Sequence, residues 1–233
     1  TCFTRLRVWQ GNPRTGSKEG EKSARDIWKM ISENAWRTGD PGVIFLDEIN
    51  RHNPTPEIGL LRATNPCGEL PLLEYESCNL GSINLSKMVK EEDGEVKIDW
   101  DKLAKTVEVG IHFLDNVIDA NEYPIEEVEK TTKANRKIGL GVMGWAELLI
   151  ELEIPYNSEE AVSLADDVMD FISKRAREKS IELGEERGSF PNFEDSVWSD
   201  EYDSMRNATV TSIAPTGTIS IIAGCSSGIE PLF

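Results

Sequence analysis

The chain has 233 residues, of which 39% are hydrophobic and 42 acidic against 25 basic, giving a formal net charge of −17. That length allows one large domain or two small ones with a real core, and the negative surface disfavours nucleic acid and anionic membrane as partners. No run of 18 apolar residues suggests a membrane helix and no apolar stretch near Thr1 suggests a leader; four cysteines are too few for a disulfide-stapled fold, so the cytoplasm is expected.

In chain order, residues 1–22 are polar, with a turn at Asn12-Pro13-Arg14-Thr15-Gly16. Ser23 can cap a helix in which Ala24, Ile27, Trp28, Ile31 and Ala35 keep a 3.6-residue spacing. Asp40-Pro41-Gly42 interrupts it, and Val43 to Leu46 reads as a short strand. Residues 47–76 have no clear periodicity and hold four prolines, which with their apolar residues and a cysteine favours an ordered functional loop. Asn79 to Leu85 reads as a strand, and residues 91–95 as an acidic turn. The stripe Leu103, Val107, Ile111, Leu114, Ile118 predicts a helix over 100–120. Gly139 to Gly144 ends an apolar run and opens a helix at Trp145. Asn157 with Glu160 resembles a capping box that starts a helix to about Leu183, with Ala161, Leu164, Ala165, Val168, Phe171 and Ile172 buried. Ala208 to Ala214 is strand-like, Pro215-Thr216-Gly217-Thr218 breaks it, and Ile219 to Ala223 is apolar again. Strands separated by helices and long connections argue an α/β fold with parallel strands.

The chemistry concentrates in Asn65-Pro66-Cys67-Gly68-Glu69, which puts a carboxamide, a thiol and a carboxylate within five residues. Alone, Cys67 reads as a buried structural cysteine. In an extended loop tip, however, Asn65, Cys67 and Glu69 would share one face, an inventory suited to one-electron or nucleophilic sulfur chemistry at a hydroxylated carbon. Cys78 lies eleven residues on, and with Cys67 and Cys225 it could form a redox thiol cluster; by itself Cys225 reads as packing in a tight turn. A zinc site from Cys67, Cys78, His52 and Glu69 lacks ligand spacing, and no metal is expected. Residues 215–220 supply hydroxyls and free amides, a phosphate cradle if a helix starts there; the plain alternative is an ordinary strand-to-helix turn. Gly139, Gly141 and Gly144 match a dinucleotide-binding spacing, but no acidic residue sits on a following strand, so such a site is not expected.

Taken together, these segments resemble the catalytic subunit of ribonucleotide reductase from about Ala24 onward. The carrying motifs are residues 36–42 (Trp-Arg-Thr-Gly-Asp-Pro-Gly), residues 65–69, residues 77–85, residues 137–144 (Lys-Ile-Gly-Leu-Gly-Val-Met-Gly), residues 214–220 (Ala-Pro-Thr-Gly-Thr-Ile-Ser) and residues 226–231. The spelling with Leu72-Leu73 and Tyr75-Glu76-Ser77-Cys78 is most similar to the adenosylcobalamin (vitamin B12) class. The resemblance implies part of a ten-stranded α/β barrel with a central finger loop at about 47–76 and part of the second half-barrel at about 77–233, all within one catalytic domain. It implies that Cys67 is the thiyl radical that removes the ribose 3′ hydrogen, that Glu69 takes the 3′-hydroxyl proton, and that Asn65 binds ribose hydroxyls. Cys78 would be one thiol of the redox pair, Leu80 would contact the nucleotide, and Pro215, Thr216, Gly217, Thr218, Ile219 and Ser220 would hold the substrate phosphates.

Implied partners are a ribonucleoside di- or triphosphate, a thioredoxin-like or dithiol reductant, and the remainder of the reductase or a second copy. The family places the partner of Cys78 in the first half-barrel, and both ends of the chain read as cut, so the chain is expected to be an incomplete barrel without turnover of its own. Two alternatives remain at this point: the core of a metal-dependent class I large subunit, and a non-catalytic nucleotide-binding piece of a split protein.

Overall fold

A computed structural model describes residues 7–12 and 14–232. The chain divides into two compact units, Thr1–Phe45 and Leu46–Phe233. Cys2 lies outside the described residues.

In the first unit β1 (Arg7–Gly11) pairs antiparallel with β2 (Lys18–Ser23). The turn at 12–16 sits where its residues predict: the Asn12 side-chain oxygen accepts from the Arg14 and Thr15 amides at 2.8 and 3.2 Å, the local bonding that favours Asn in turns. The flanking strands were not legible, because residues 18–23 are polar on both faces. α1 (Ala24–Thr38) starts as expected, with Ser23 Oγ accepting from the Asp26 amide at 3.3 Å, and ends on Gly39 at φ 83°. Val43, Ile44 and Phe45 form no strand. A run of β-formers needs a ladder partner, and among the described residues none pairs with it.

The second unit opens with α2 (Leu46–Arg51), which takes Leu46 from the expected strand. Residues 52–62 are irregular yet ordered, because asparagines stand in for a ladder. The Asn50 side chain bonds both the amide and the carbonyl of Leu61 at 2.8 Å, and Asn53 Nδ2 donates to the Gly59 carbonyl at 2.8 Å. A two-residue hairpin follows, β3 (Ala63–Thr64) against β4 (Pro71–Leu72), with residues 65–70 as its loop.

β5 (Asn79–Asn84) leads through a 3-10 turn into the hairpin of β6 (Val89–Glu92) and β7 (Glu95–Ile98), whose tip is the expected acidic turn. α3 (Trp100–Ala120) has the predicted bounds. Leu103, Val107, Ile111, Leu114 and Ile118 are all buried, each contributing about 1.5–3 kcal/mol of apolar burial. α4 (Glu126–Asn135) was not predicted: its buried residues are Thr132 and Asn135, both polar. β8 (Ile138–Met143) returns parallel to β5, in register from Asn79↔Ile138 to Asn84↔Met143. After α5 (Trp145–Glu151), α6 (Glu159–Arg187) is capped by Ser158, not Asn157, through a 3.1 Å bond from the Ala161 amide. Ala161, Val168 and Ile172 are buried and Leu164, Ala165 and Phe171 partly so, in one core with α3.

Residues 208–214 run along β8, with a parallel bridge Leu140↔Thr211 and bonds from the Ile138 and Leu140 amides to the Thr209 and Val210 carbonyls. The expected strand is therefore one bridge long. The apolar stretch after it is α7 (Gly217–Ala223), a helix. The spatial order is thus residues 209–212, β8, β5, all parallel, joined by helical crossovers. This is the α/β pattern expected.

Candidate active site

The two faces of the parallel strands can be told apart from one glycine. The Cβ position of Gly81 lies 3.5 Å from the Leu114 and Leu140 side chains, so odd residues of β5 face α3. Alternation then puts Cys78, Leu80, Ser82 and Asn84 on the opposite face. On β8 that face carries Gly139 and Gly141. A Cβ at Gly139 would meet Leu80 Cδ2 at 2.5 Å and Ser212 Cβ at 2.8 Å, and one at Gly141 would meet the Ser212 carbonyl at 2.1 Å. The glycine spacing therefore serves close approach of residues 208–214 rather than a dinucleotide.

The β3–β4 hairpin tip sits against this face. Asn65 to Gly68 closes a turn, with the Gly68 amide donating to the Asn65 carbonyl at 3.0 Å and Gly68 at φ 86°. The alternation expected of an extended loop tip is lost, so Asn65, Cys67 and Glu69 do not share a face in that way. The Asn65 side-chain oxygen instead accepts from the Leu70 amide at 3.0 Å, bracing the loop from within. Cys67 is exposed at the tip. Glu69 turns inward: its carbonyl accepts from Ser212 Oγ at 2.8 Å, and its Oε2 is buried with no hydrogen-bond partner. Ser82 Oγ, on the same face as Cys78, is buried and unpartnered too.

Cys78 meets Glu69 electrostatically. Burial, then the negative charges of Glu69 and Glu76, push the Cys78 thiol up to about 11, against a smaller opposing effect of Lys137. The preceding residue is anchored to α4: the Ser77 amide donates to Thr132 Oγ1 at 3.1 Å, and the two hydroxyls lie 2.9 Å apart. Below lies a closed polar group that the sequence reading missed. Glu76 accepts from Lys137 Nζ at 2.7 Å, Asn135 Nδ2 at 2.6 Å and the Leu73 amide at 2.8 Å, with both charged side chains fully buried. The only signal available was a lysine directly before an apolar strand.

Cys225 belongs to a different place. A Cβ at Gly144, beyond the last residue of β8, would lie 3.3 Å from Cys225 Cβ, whereas Cys78 precedes the first residue of β5. Six residues of parallel strand separate these ends, about 20 Å, so Cys225 does not join Cys78 in a cluster. The three described cysteines are free. His52 is exposed and turned to Glu48 at 3.4 Å. Among the described residues no group of three or more His, Cys, Asp or Glu is placed to hold a metal ion, and no helix is long and apolar enough to cross a membrane.

Residues 215–220 form the turn into α7. Thr216 is buried in the left-handed region at φ 59°, and its Oγ1 accepts from the Gly228 amide at 2.7 Å. Ser220 Oγ lies 2.9 Å from Ser227 Oγ. The 226–228 loop that braces the turn is itself held by Glu147, which accepts from the Ser226 amide and hydroxyl at 2.7 and 2.5 Å. Pro215, Gly217, Thr218 and Ile219 are exposed.

Among proteins of known family, the profile of the ribonucleotide reductase barrel domain matches residues 10–233. The chain belongs to that family. It is 59% identical over 222 residues to a vitamin B12-dependent ribonucleoside-diphosphate reductase of Thermoplasma acidophilum, covering 95% of this chain and 28% of the relative. The reductase of the same name from Mycobacterium tuberculosis is 54% identical, with 95% and 31% covered. The alpha subunit of a class Id ribonucleotide reductase from Actinobacillus ureae superposes with a TM-score of 0.74 at 26% identity, over 90% of this chain and 40% of that one. The fold is accordingly part of an α/β barrel, and the chain spans about a third or less of the length of these two curated relatives.

Proposed function

We propose that this chain supplies the sulfur, carboxylate and amide of a radical ribonucleotide reductase of the vitamin B12-dependent type. The observation that supports the reading is the hairpin tip: an exposed sulfur at Cys67, and two residues on a carboxyl oxygen of Glu69 that is buried, unpartnered and electrostatically coupled to Cys78. Leaving a buried carboxyl oxygen unbonded costs about 1–3 kcal/mol, a cost that a substrate hydroxyl would relieve. Residues 47–76 are assigned as the finger loop and residues 77–233 as part of the second half-barrel.

In this reading the Cys67 thiyl takes the 3′ hydrogen of the ribose, forming S–H and leaving a carbon radical. Glu69 Oε2 accepts the 3′-hydroxyl proton, and Asn65 hydrogen-bonds the ribose hydroxyls once its brace to Leu70 yields. The 2′-hydroxyl leaves as water. Two thiols, Cys78 and one assigned to the part of the relatives that this chain does not span, give up two hydrogens and close to a disulfide. The net change is C–OH plus two S–H to C–H, water and S–S, and Cys67 returns its hydrogen to the 3′ carbon. Leu80 contacts the nucleotide from the face it shares with Cys78. Pro215, Thr216, Gly217, Thr218, Ile219 and Ser220 hold the phosphates; Thr216 is pinned in its turn and residues 217–219 after it are exposed, which suits an anion.

The tip also fits the approach of a bulky radical generator. Cys67 is exposed and nothing lies within 4 Å of the Cβ position of Gly68, so Pro66, Cys67 and Gly68 would face adenosylcobalamin. The chemistry it supplies when bound is one-electron oxidation of the Cys67 sulfur. A dithiol or thioredoxin-like protein would reduce the disulfide, the rest of the barrel would come from the parent protein or a second copy, and the cytoplasm is the compartment.

The experiment is deoxyribonucleotide formation by the whole parent enzyme with adenosylcobalamin, a dithiol and no second subunit. Activity that Cys67→Ser abolishes is the expected result. Turnover surviving that substitution overturns the reading, and turnover that requires a metal-bearing second subunit assigns the barrel to the other class.

A further inference from the structure

The Glu76–Lys137 pair is a buried charged group that the proposed reaction does not use. It lies directly beside a sulfur that the reaction does use. Asn79 pairs with Ile138, so Cys78 and Lys137 each stand one residue before the start of the parallel ladder. Glu76 is two residues before Cys78 and is saturated: one oxygen takes Asn135, the other takes Lys137 and the Leu73 amide. Lys137 has its ammonium 2.7 Å from the carboxylate, with the two side chains 1% and 0% exposed.

Two buried charges cost several kcal/mol each to desolvate, and apolar residues could often replace such a pair with no loss of stability. Stability alone therefore does not account for this one. The charges that face Cys78 are Glu69 from the hairpin tip, Glu76 from its own segment and Lys137 from just before β8. A buried ammonium alone beside the sulfur would favour the thiolate and lower the pH at which the proton leaves. A thiolate carries no hydrogen on sulfur to give.

We propose that Glu76, by closing the positive charge of Lys137 into a pair, is a positioning residue that stops Lys137 from weakening the hold of Cys78 on its proton beside Glu69. The proposal rests on the reading of Cys78 as a hydrogen-giving thiol, but its test does not depend on turnover. Glu76 offsets Lys137, and the remaining negative field comes from Glu69 across the site. The pair is thus a charge guard set below the sulfur, held in register by Asn135 and the Leu73 amide.

The test is the pH profile of Cys78 alkylation in the full chain, measured with iodoacetamide and mass spectrometry of the Cys78 peptide. Glu76→Gln is expected to move the midpoint down by about one pH unit or more, with alkylation about tenfold faster at pH 8. Lys137→Met is expected to move it the other way, and Glu76→Gln/Lys137→Met to fall between the two single variants. A purely structural role would change the rate at every pH and leave the midpoint still. Folding is checked by circular dichroism; should Glu76→Gln not fold, the upward shift in Lys137→Met carries the test. Midpoints within 0.3 pH units of wild type in the folded variants, or the opposite order, overturn the proposal, where 0.3 is about a twofold change in thiolate fraction. A reductase assay that fails while the midpoints shift as stated would overturn the functional reading and leave the guard standing.

Discussion

Ser212 Oγ donates a 2.8 Å hydrogen bond to the Glu69 carbonyl, joining positions 143 residues apart. It ties the hairpin loop that carries Cys67 to the segment running along β8. A bond of this kind contributes about 0.5–1.5 kcal/mol, and β3 and β4 are only two residues long. Ser212→Ala is therefore expected to raise the hydrogen-exchange rate of the amides in residues 65–70 several-fold and to leave α3 and α6 unchanged. Equal protection of that loop in the variant and the wild type would show that the tether does not hold the tip.

Gly141→Ala meets backbone rather than a movable side chain, since the new carbon would sit 2.1 Å from the Ser212 carbonyl oxygen. A destabilisation of about 1–3 kcal/mol is expected, read as a lowered urea midpoint. Gly217→Ala has nothing within 4 Å of its Cβ position, and its stability is expected to stay within about 0.5 kcal/mol of wild type. Similar midpoints for both variants would argue against the close approach.

Asp115 is fully buried and is bonded by Arg136 Nε at 2.9 Å, Asn207 Nδ2 at 3.0 Å and Arg206 Nε at 3.2 Å. Asp115→Ala removes the buried one of the two carboxylates that Arg136 and Arg206 share with Asp119 and should cost about 3 kcal/mol in thermal or urea unfolding. Asp119 binds the same Arg136 at 2.8 Å but is half exposed, and Asp119→Ala should cost about 1 kcal/mol or less. A larger loss at Asp119 than at Asp115 would contradict this order.

The Cys78 thiol is raised from 9.0 to about 11, chiefly by burial. A group whose value is raised on folding favours the fold while it holds its proton. Its contribution is complete below 9.0 and is lost as pH climbs through the folded value. Stability should therefore fall between pH 9 and pH 11 more steeply in the wild type than in Cys78→Ser, as followed by urea midpoints. Parallel curves for the two proteins would exclude Cys78 as the source.

The parts of this fold that could be read from sequence are those where apolar spacing matches element geometry. α3 is the clearest case, since its stripe faces one core along its full length. α4 escaped because it buries Thr132 and Asn135 for hydrogen bonding, which no hydropathy pattern marks. Val43 to Phe45 misled for the opposite reason, having strand residues without a strand to pair with. At the candidate site, motif and residue type singled out Cys67, Glu69 and Cys78. They could not reveal that Asn65 braces its own loop, nor that Lys137 and Glu76 lie sealed under Cys78, because those facts depend on which strands become neighbours.

The bare positions in β8 act as a spacer of zero thickness. With no side chains at Gly139 and Gly141, the 208–214 segment settles close enough for Ser212 to grip the loop bearing Cys67. The seat of that loop is thus set on the face of the sheet it rests against, by atoms that are missing rather than present. Bulk added to β8 would shift the Cys67 loop with every side chain of that loop unchanged.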